Sequence, residues 1–309
     1  FSMTSSDKFE AIVGSPFSDV IVGDGSQNVI WGGAGGDRIF GQGGGDTIYG
    51  GQDGDYIDGG GVGQARGGEP IADYVLNPDN TKTWFNRDVC VNVTTANSEG
   101  CELWSTSNKL VDPPRPNQIS VGIASKYNPN PNSFQPGPTS PWQYGSSVYV
   151  VGTSVSDQVL IWYTEASGSD PGFVSVKSTG ANPLDVQGAK ANGCSGTSEV
   201  VNCPTAIGPT SSAPNPPSSY QLTPTVSVSG LSSGDFINSS RDWGASSVLL
   251  PETTTKVLTG DDGNDTLKGD DAVHGILIDG ARPDTVLGFG SRDILYSSEG
   301  ADVLKGGGS

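Results

Sequence analysis

The chain has one histidine, one methionine and four cysteines in 309 residues, and these scarcities exclude several kinds of chemistry. A single histidine cannot furnish the HExxH helix of a zinc protease. A serine hydrolase would have to draw its base from His274, and no GxSxG elbow is present, since Gly193-Cys194-Ser195-Gly196 does not have that pattern. The cysteines lack CxxC spacing, which argues against a zinc site. No run of 18 apolar residues exists to span a membrane. No basic cluster exists to hold nucleic acid. Charged residues make up only 16% of the chain, fewer than helix bundles use.

Glycine (46) and proline (21) are abundant instead, and with much Ser, Thr and Asn they point to β structure with many turns. The formal charge is −18, from 34 acidic against 16 basic residues. The acids are not in runs: 17 of the 34 fall in residues 14–60 and 260–305, spaced among glycines. Carboxylates spaced along glycine-rich turns are how a chain builds sites for hard cations, and bound cations would relieve the self-repulsion. The cysteines form two close pairs, Cys90 with Cys101 and Cys194 with Cys203. They read as two short-loop disulfides, which implies an oxidising, extracellular compartment.

From residue 14 the chain reads GSPFSDVIV, GDGSQNVIW, GGAGGDRIF, GQGGGDTIY and GGQDGDYID. The sixth position holds Asp19, Asn28, Asp37, Asp46 and Asp55, and the eighth holds Ile21, Ile30, Ile39, Ile48 and Ile57. One step back, Ile12 extends the series with Glu10 in the acidic place. Near the other end, Asp265 with Leu267 takes the two positions, then His274 with Ile276. After a one-residue slip come Asp284 with Val286, Asp293 with Leu295 and Asp302 with Leu304. The GxGxxG strings within residues 32–60 keep this nine-residue phase, so they belong to the repeat and not to a dinucleotide fold.

The pattern resembles the RTX, or haemolysin-type, nonapeptide consensus GGxGxDxUx, where U is a large aliphatic residue. The resemblance covers the two ends of the chain. It implies a parallel β-roll with two nonapeptides per turn and Ca2+ in the turns. On that fold, same-side turns lie two repeats apart, pairing Asp19 with Asp37, Asn28 with Asp46 and Asp37 with Asp55. Glycines such as Gly32, Gly41 and Gly50 would bare their carbonyls, and Asp265, Asp284, Asp293 and Asp302 would play the acidic part at the C-terminal end. Calcium takes six to eight oxygens, which two stacked turns can supply. The neutral Asn28 should weaken its site. Pro16, Phe17 and Ser18 replace the glycine turn before Asp19, as an end cap would.

The middle of the chain has short alternating segments, among them Val89–Val93, Ser147–Val150, Val159–Tyr163, Phe173–Val176 and Thr225–Val228, separated by Pro- and Gly-rich stretches. The expected architecture is therefore all-β. An N-terminal roll (1–66) and a C-terminal roll (259–309) flank a β-sandwich-like insert (67–258) carrying the two disulfides.

Three functions fit: a structural extracellular protein, an adhesin, and an enzyme with a carboxylate site in the insert. The tryptophans Trp84, Trp104, Trp142, Trp162 and Trp243 could stack on glycans of a cell surface or pack the core. The structural reading is the one we expect. Gly306-Gly307-Gly308-Ser309 reads as the opening of a further repeat, so other copies of the chain would complete the stack and polymerise it head to tail. The alternative is that the two roll segments of one chain stack on each other. The reading is non-enzymatic, with calcium as the assembly switch.

Overall fold

A computed structural model describes residues 2–3, 11–43, 46–68, 74–76, 82–84, 89–96, 103–104, 115–126, 146–164, 173–204, 225–239, 255–270, 275–290, 293–297 and 299–307. They fall into two compact units, residues 1–116 with 124–141, and residues 117–123 with 142–309.

In the first unit the nine-residue period becomes two interleaved parallel ladders. One contains Ala11–Val13, Val29–Gly33 and Thr47–Gly51, the other Ser2–Met3, Val20–Val22, Arg38–Phe40 and the start of Tyr56–Gly68. Each strand pairs with the strand two repeats away, so Ile12, Ile30 and Ile48 share one register and Ile21, Ile39 and Ile57 the other. Side chains alternate across a strand, so the aliphatic of every repeat points the same way. The six isoleucines form one core, none more than 5% exposed. β-Branched side chains, already restricted in χ1, suit such a column.

The ladders continue past the matched spacing. Ala65 pairs beyond Ile48, and Cys90 of the strand Val89–Ala96 pairs beyond Ile57 and joins the isoleucine core. The expected boundary at 66/67 thus falls inside the strand Tyr56–Gly68. Cys90 is disulfide-bonded, and its expected partner, Cys101, lies outside the described residues. On the outer face Trp31 stacks on Tyr49, centroids 5.6 Å apart. Arg38, fully buried, lies over the rings of Phe40 and Tyr56.

The second unit repeats the plan on less regular sequence. Ser146–Val151, Thr225–Ser229, Thr255–Thr259, Gly275–Ile278 and Ile294–Tyr296 form one parallel ladder. Gln158–Thr164, Phe236–Asn238, Thr266–Lys268, Thr285–Leu287 and Val303–Lys305 form the other. The strands Phe173–Ser178, Val200–Pro204 and Ser195–Gly196 extend the second ladder antiparallel beside Gln158–Thr164, and so cover that edge. The Cys194–Cys203 disulfide forms as expected, with Cα atoms 4.4 Å apart, and fastens this extension. Among the described residues the one helix is Val186–Ala191, capped by the Asp185 carboxylate on the amides of Gln187 and Gly188.

Two expectations are corrected here. The boundary at 258/259 lies inside the stack, because the strands at 146–164 and 225–239, assigned to the insert from their alternation, pair in register with the C-terminal repeats. Alternation reports a half-buried strand and carries no information on its partner. The degenerate unit is also shifted by one residue: Leu277, not Ile276, aligns with Leu258 and Leu295, and Gly275, not His274, aligns with Asp293. His274 itself lies outside the described residues. Leu277 sits in the main apolar core with Val150, Val228 and Leu258, beside the facing column Val159, Ile237, Leu267 and Val286.

The isoleucine column should carry stability in proportion to burial. Ile39→Ala should cost about 2–5 kcal/mol, against under about 0.5 kcal/mol for Val13→Ala on the exposed face. Urea unfolding in calcium measures both, and equal costs would mean that the column is not the core.

Candidate metal centre

The loops that join the strands share one course, set by their first, second and sixth residues. At the first, a Cβ on Gly32 would collide with Asp37 Oδ2 and the carbonyl oxygen of Gly50. Gly41 and Gly50 stand in the same way against the carboxylates of Asp46 and Asp55. The expected glycines are thus the floor of a cradle lined by oxygens. At the second position the backbone turns to positive φ, 128° at Gly33 and 129° at Gly51, which glycine adopts without steric penalty.

The sixth residue turns its carboxylate into the loop. Asp37 Oδ1 accepts from the amide of Asp19 at 2.8 Å, Asp46 Oδ1 from that of Asn28 at 2.9 Å, and Asp55 Oδ1 from that of Asp37 at 2.8 Å. These are the three pairs expected from the two-repeat spacing. In the second unit Asp265 donates to Asp284 and Asp284 to Asp302, at 2.6 and 3.0 Å. One carboxylate oxygen from each of Asp279, Asp284 and Asp302 lies within 4.8 Å of the others. Asp293 stands on the opposite flank and accepts from the Gly275 amide at 2.8 Å.

In five aspartates of the ladders the second oxygen has no such bond. Oδ2 of Asp37, Asp46, Asp235, Asp265 and Asp284 is buried with no hydrogen-bond partner. A carboxylate taken from water without a partner is strongly destabilised in its charged form. Burial therefore pushes Asp37 and Asp265 up to about 8, Asp235 to about 9, and Asp46 and Asp284 to about 6. The amide bond to Oδ1 opposes this rise, and neighbouring carboxylates such as Asp19 beside Asp37 add to it. A divalent cation removes the conflict. The donors are carboxylate and carbonyl oxygens, with no nitrogen or sulfur among them, a set that suits calcium.

Among the described residues, Asp19, Asp157 and Asn28 also bond groups of their own part of the chain. Asp19 Oδ2 accepts from the Ser15 amide at 2.5 Å, and Asp157 Oδ2 from the Thr153 amide at 2.5 Å. Asp157 Oδ1 takes the Asn182 side chain at 2.7 Å. At Asn28 the side-chain oxygen accepts from the Asp24 amide at 3.0 Å, an uncharged version of the same contact.

Asp157, Asp235 and Asp279 were missed by period. Asp157 and Asp235 close GTSVSDQVL (152–160) and GLSSGDFIN (230–238), which keep Gly first, Asp sixth and an aliphatic residue eighth. That triple was legible, but each copy stands alone. Asp279 replaces the first glycine of its repeat, a position where no acid is sought.

The opposite flank of the second unit solves its charge problem differently. In register its acidic position reads Val148, Val226, Lys256, Gly275 and Asp293. Lys256 is fully buried, and its Nζ lies 2.5 Å from Asp270 Oδ2. Burial lowers the lysine pKa, and the Asp270 carboxylate opposes that. This rung carries its own cation, covalently attached.

Two outcomes follow. A buried acid with a raised pKa is stabilising while protonated, so the calcium-free chain should be most stable at acidic pH. It should lose that stability as pH rises from near 3.8 through about 8 or 9. Calcium uptake at pH 7 should then release protons, read as a dependence of the calorimetric heat on buffer ionisation enthalpy; heats independent of buffer would count against it. Lys256→Met removes the cation that faces the buried Asp270 carboxylate and should cost about 3–5 kcal/mol in denaturant unfolding with chelator present.

A family model, the RTX calcium-binding nonapeptide repeat, matches four stretches: residues 13–48, 31–61, 257–272 and 276–308. No curated protein and no solved structure matches the chain. The middle of the chain is not recognised by any family model. The cradles and carboxylate ladders at residues 13–61, 257–272 and 276–308 are RTX calcium-binding repeats, one set at each end of the chain.

Proposed function

We propose that this calcium-binding chain is a secreted structural protein that self-associates by adding rungs to its parallel stack, as a filament or surface-layer subunit. The observation that carries the reading is the last rung of the second unit. There Tyr296 and Leu304 are 43 and 40% exposed, whereas their in-register partners one rung earlier, Ile278 and Val286, are 4 and 0% exposed. Among the described residues the strands Val303–Lys305 and Ile294–Tyr296 each pair on one side only. An open parallel edge beside exposed aliphatics is a template for further strands. Gly307 has already entered positive φ at 83°, the posture of the second loop position. A second copy supplying the next rung would cover Leu304 and face Asp302 across a new cradle.

Asp19, Asn28, Asp37, Asp46 and Asp55, the cradle residues Gly32, Gly41 and Gly50, and Asp265, Asp284, Asp293 and Asp302 are the residues we assign to holding calcium. Calcium acts as the assembly switch, because the cation-free ladders hold buried carboxylates in opposition. The Cys194–Cys203 disulfide fits an oxidising, extracellular setting. The role is non-enzymatic in this reading, in which the buried Asp19, Asp37, Asp46, Asp55, Asp157, Asp235, Asp265 and Asp284 serve the loops and ladders.

Negative-stain electron microscopy and sedimentation of the purified chain, with calcium and then chelator, test the proposal. Filaments or sheets that dissolve in chelator are expected, and Leu304→Asp should abolish them while calcium uptake stays intact. Chain that stays monomeric in millimolar calcium at high concentration would overturn it.

A further inference from the structure

Residues 152–157 and 230–235 lie outside every stretch the repeat model matches, yet the chain takes the same course there. Leu231, at the second loop position, is held at φ 73°, beside Asp261 at 64° in the matched repeat that follows. A Cβ on Gly152 would strike the Gly230 carbonyl oxygen and Asp157 Oδ2. A Cβ on Gly230 would strike Asp235 Oδ2 and the Gly260 carbonyl oxygen. The amide of Asp157 donates to Asp235 Oδ1, and the amide of Asp235 to Asp265 Oδ1, both at 2.7 Å. Asp235 is 2% exposed, and its Oδ2 is buried without a partner, facing the Gly260 carbonyl.

We infer that Asp235, with the loop oxygens of residues 152–157 and 260–265, forms a further divalent-cation site, and that calcium there clamps together chain segments far apart in sequence. The inference rests on the calcium-binding reading above and extends it to a segment no repeat covers. Its consequence is distinct. In the matched repeats the bonded carboxylates are 18 or 19 residues apart, so a cation there fastens neighbours. Here the separations are 78 and 30 residues. A cation at Asp235 therefore joins loops that lie far apart along the chain. Bringing distant segments together carries an entropic cost that grows with their separation, and a bridging cation offsets it. Calcium would control the order of the middle of the chain, and not that of the terminal repeats alone.

The test uses the full chain with calcium as the probe. Asp235→Asn, nearly isosteric, should bind at least one ion fewer than wild type by calorimetry after chelator removal. Hydrogen exchange should show the calcium-induced protection of strands Ser146–Val151 and Thr225–Ser229 falling tenfold or more, while Val20–Val22 and Arg38–Phe40 keep theirs. Asp37→Asn should give the reverse pattern. If Asp235→Asn does not fold, the wild-type chain gives the second readout: amides at 152–157 and 230–235 must gain protection on adding calcium. Unchanged ion number and protection in Asp235→Asn, or no gain at those amides in wild type, would overturn the inference while leaving the terminal repeats as calcium sites. Wild-type chain that binds no calcium at all would instead overturn the broader reading with it.

Discussion

The structure depends on the burial of stacked carboxylates. In each ladder one oxygen of an aspartate closes a hydrogen bond to the rung before it, and that bond fixes the register of parallel strands that would otherwise be free to slip. The same geometry buries the second oxygen where neither water nor an amide reaches it at Asp37, Asp235 and Asp265. Register and charge are thus coupled on these flanks: aligning the strands buries carboxylate oxygens that a bound cation would satisfy.

The two flanks of the second unit show how strict that coupling is. On one flank the acidic position is kept at Asp157, Asp235, Asp265, Asp284 and Asp302. On the other it is relieved by apolar residues at Val148 and Val226, which join the core, and by Lys256, whose ammonium group faces Asp270. At Val148, Val226 and Lys256, where the carboxylate is lost, apolar core or a resident cation takes its place. In the first unit, whose six isoleucines stay in strict phase, the position is Asp19, Asp37 and Asp55 on one flank and Asn28 and Asp46 on the other.

The physical conflict also explains why strain is tolerated in the loops. Gln42, Leu231, Asp261 and Phe289 all hold positive φ at a position where glycine is the unstrained choice. Each sits between two strands whose registers are fixed on both sides, so the loop takes the shape that the ladders impose.

Some of this was determined by sequence alone. The nine-residue period of Gly, Asp and Ile follows from strands too short to vary and loops too tight to accept a Cβ, so the N-terminal roll, its carboxylate pairs and its isoleucine core were legible from residues 12–57. The rest was decided by tertiary structure. Asp157 and Asp235 belong to the ladder although 78 residues separate them, because strand pairing depends on matching hydrogen bonds and not on chain distance. A search by period needs contiguous copies and misses such partners. Likewise Leu277, not Ile276, entered the core, since one extra residue before Gly275 moves every later side chain to the other face of its strand, and only the neighbouring strands reveal which side of the slip each residue occupies.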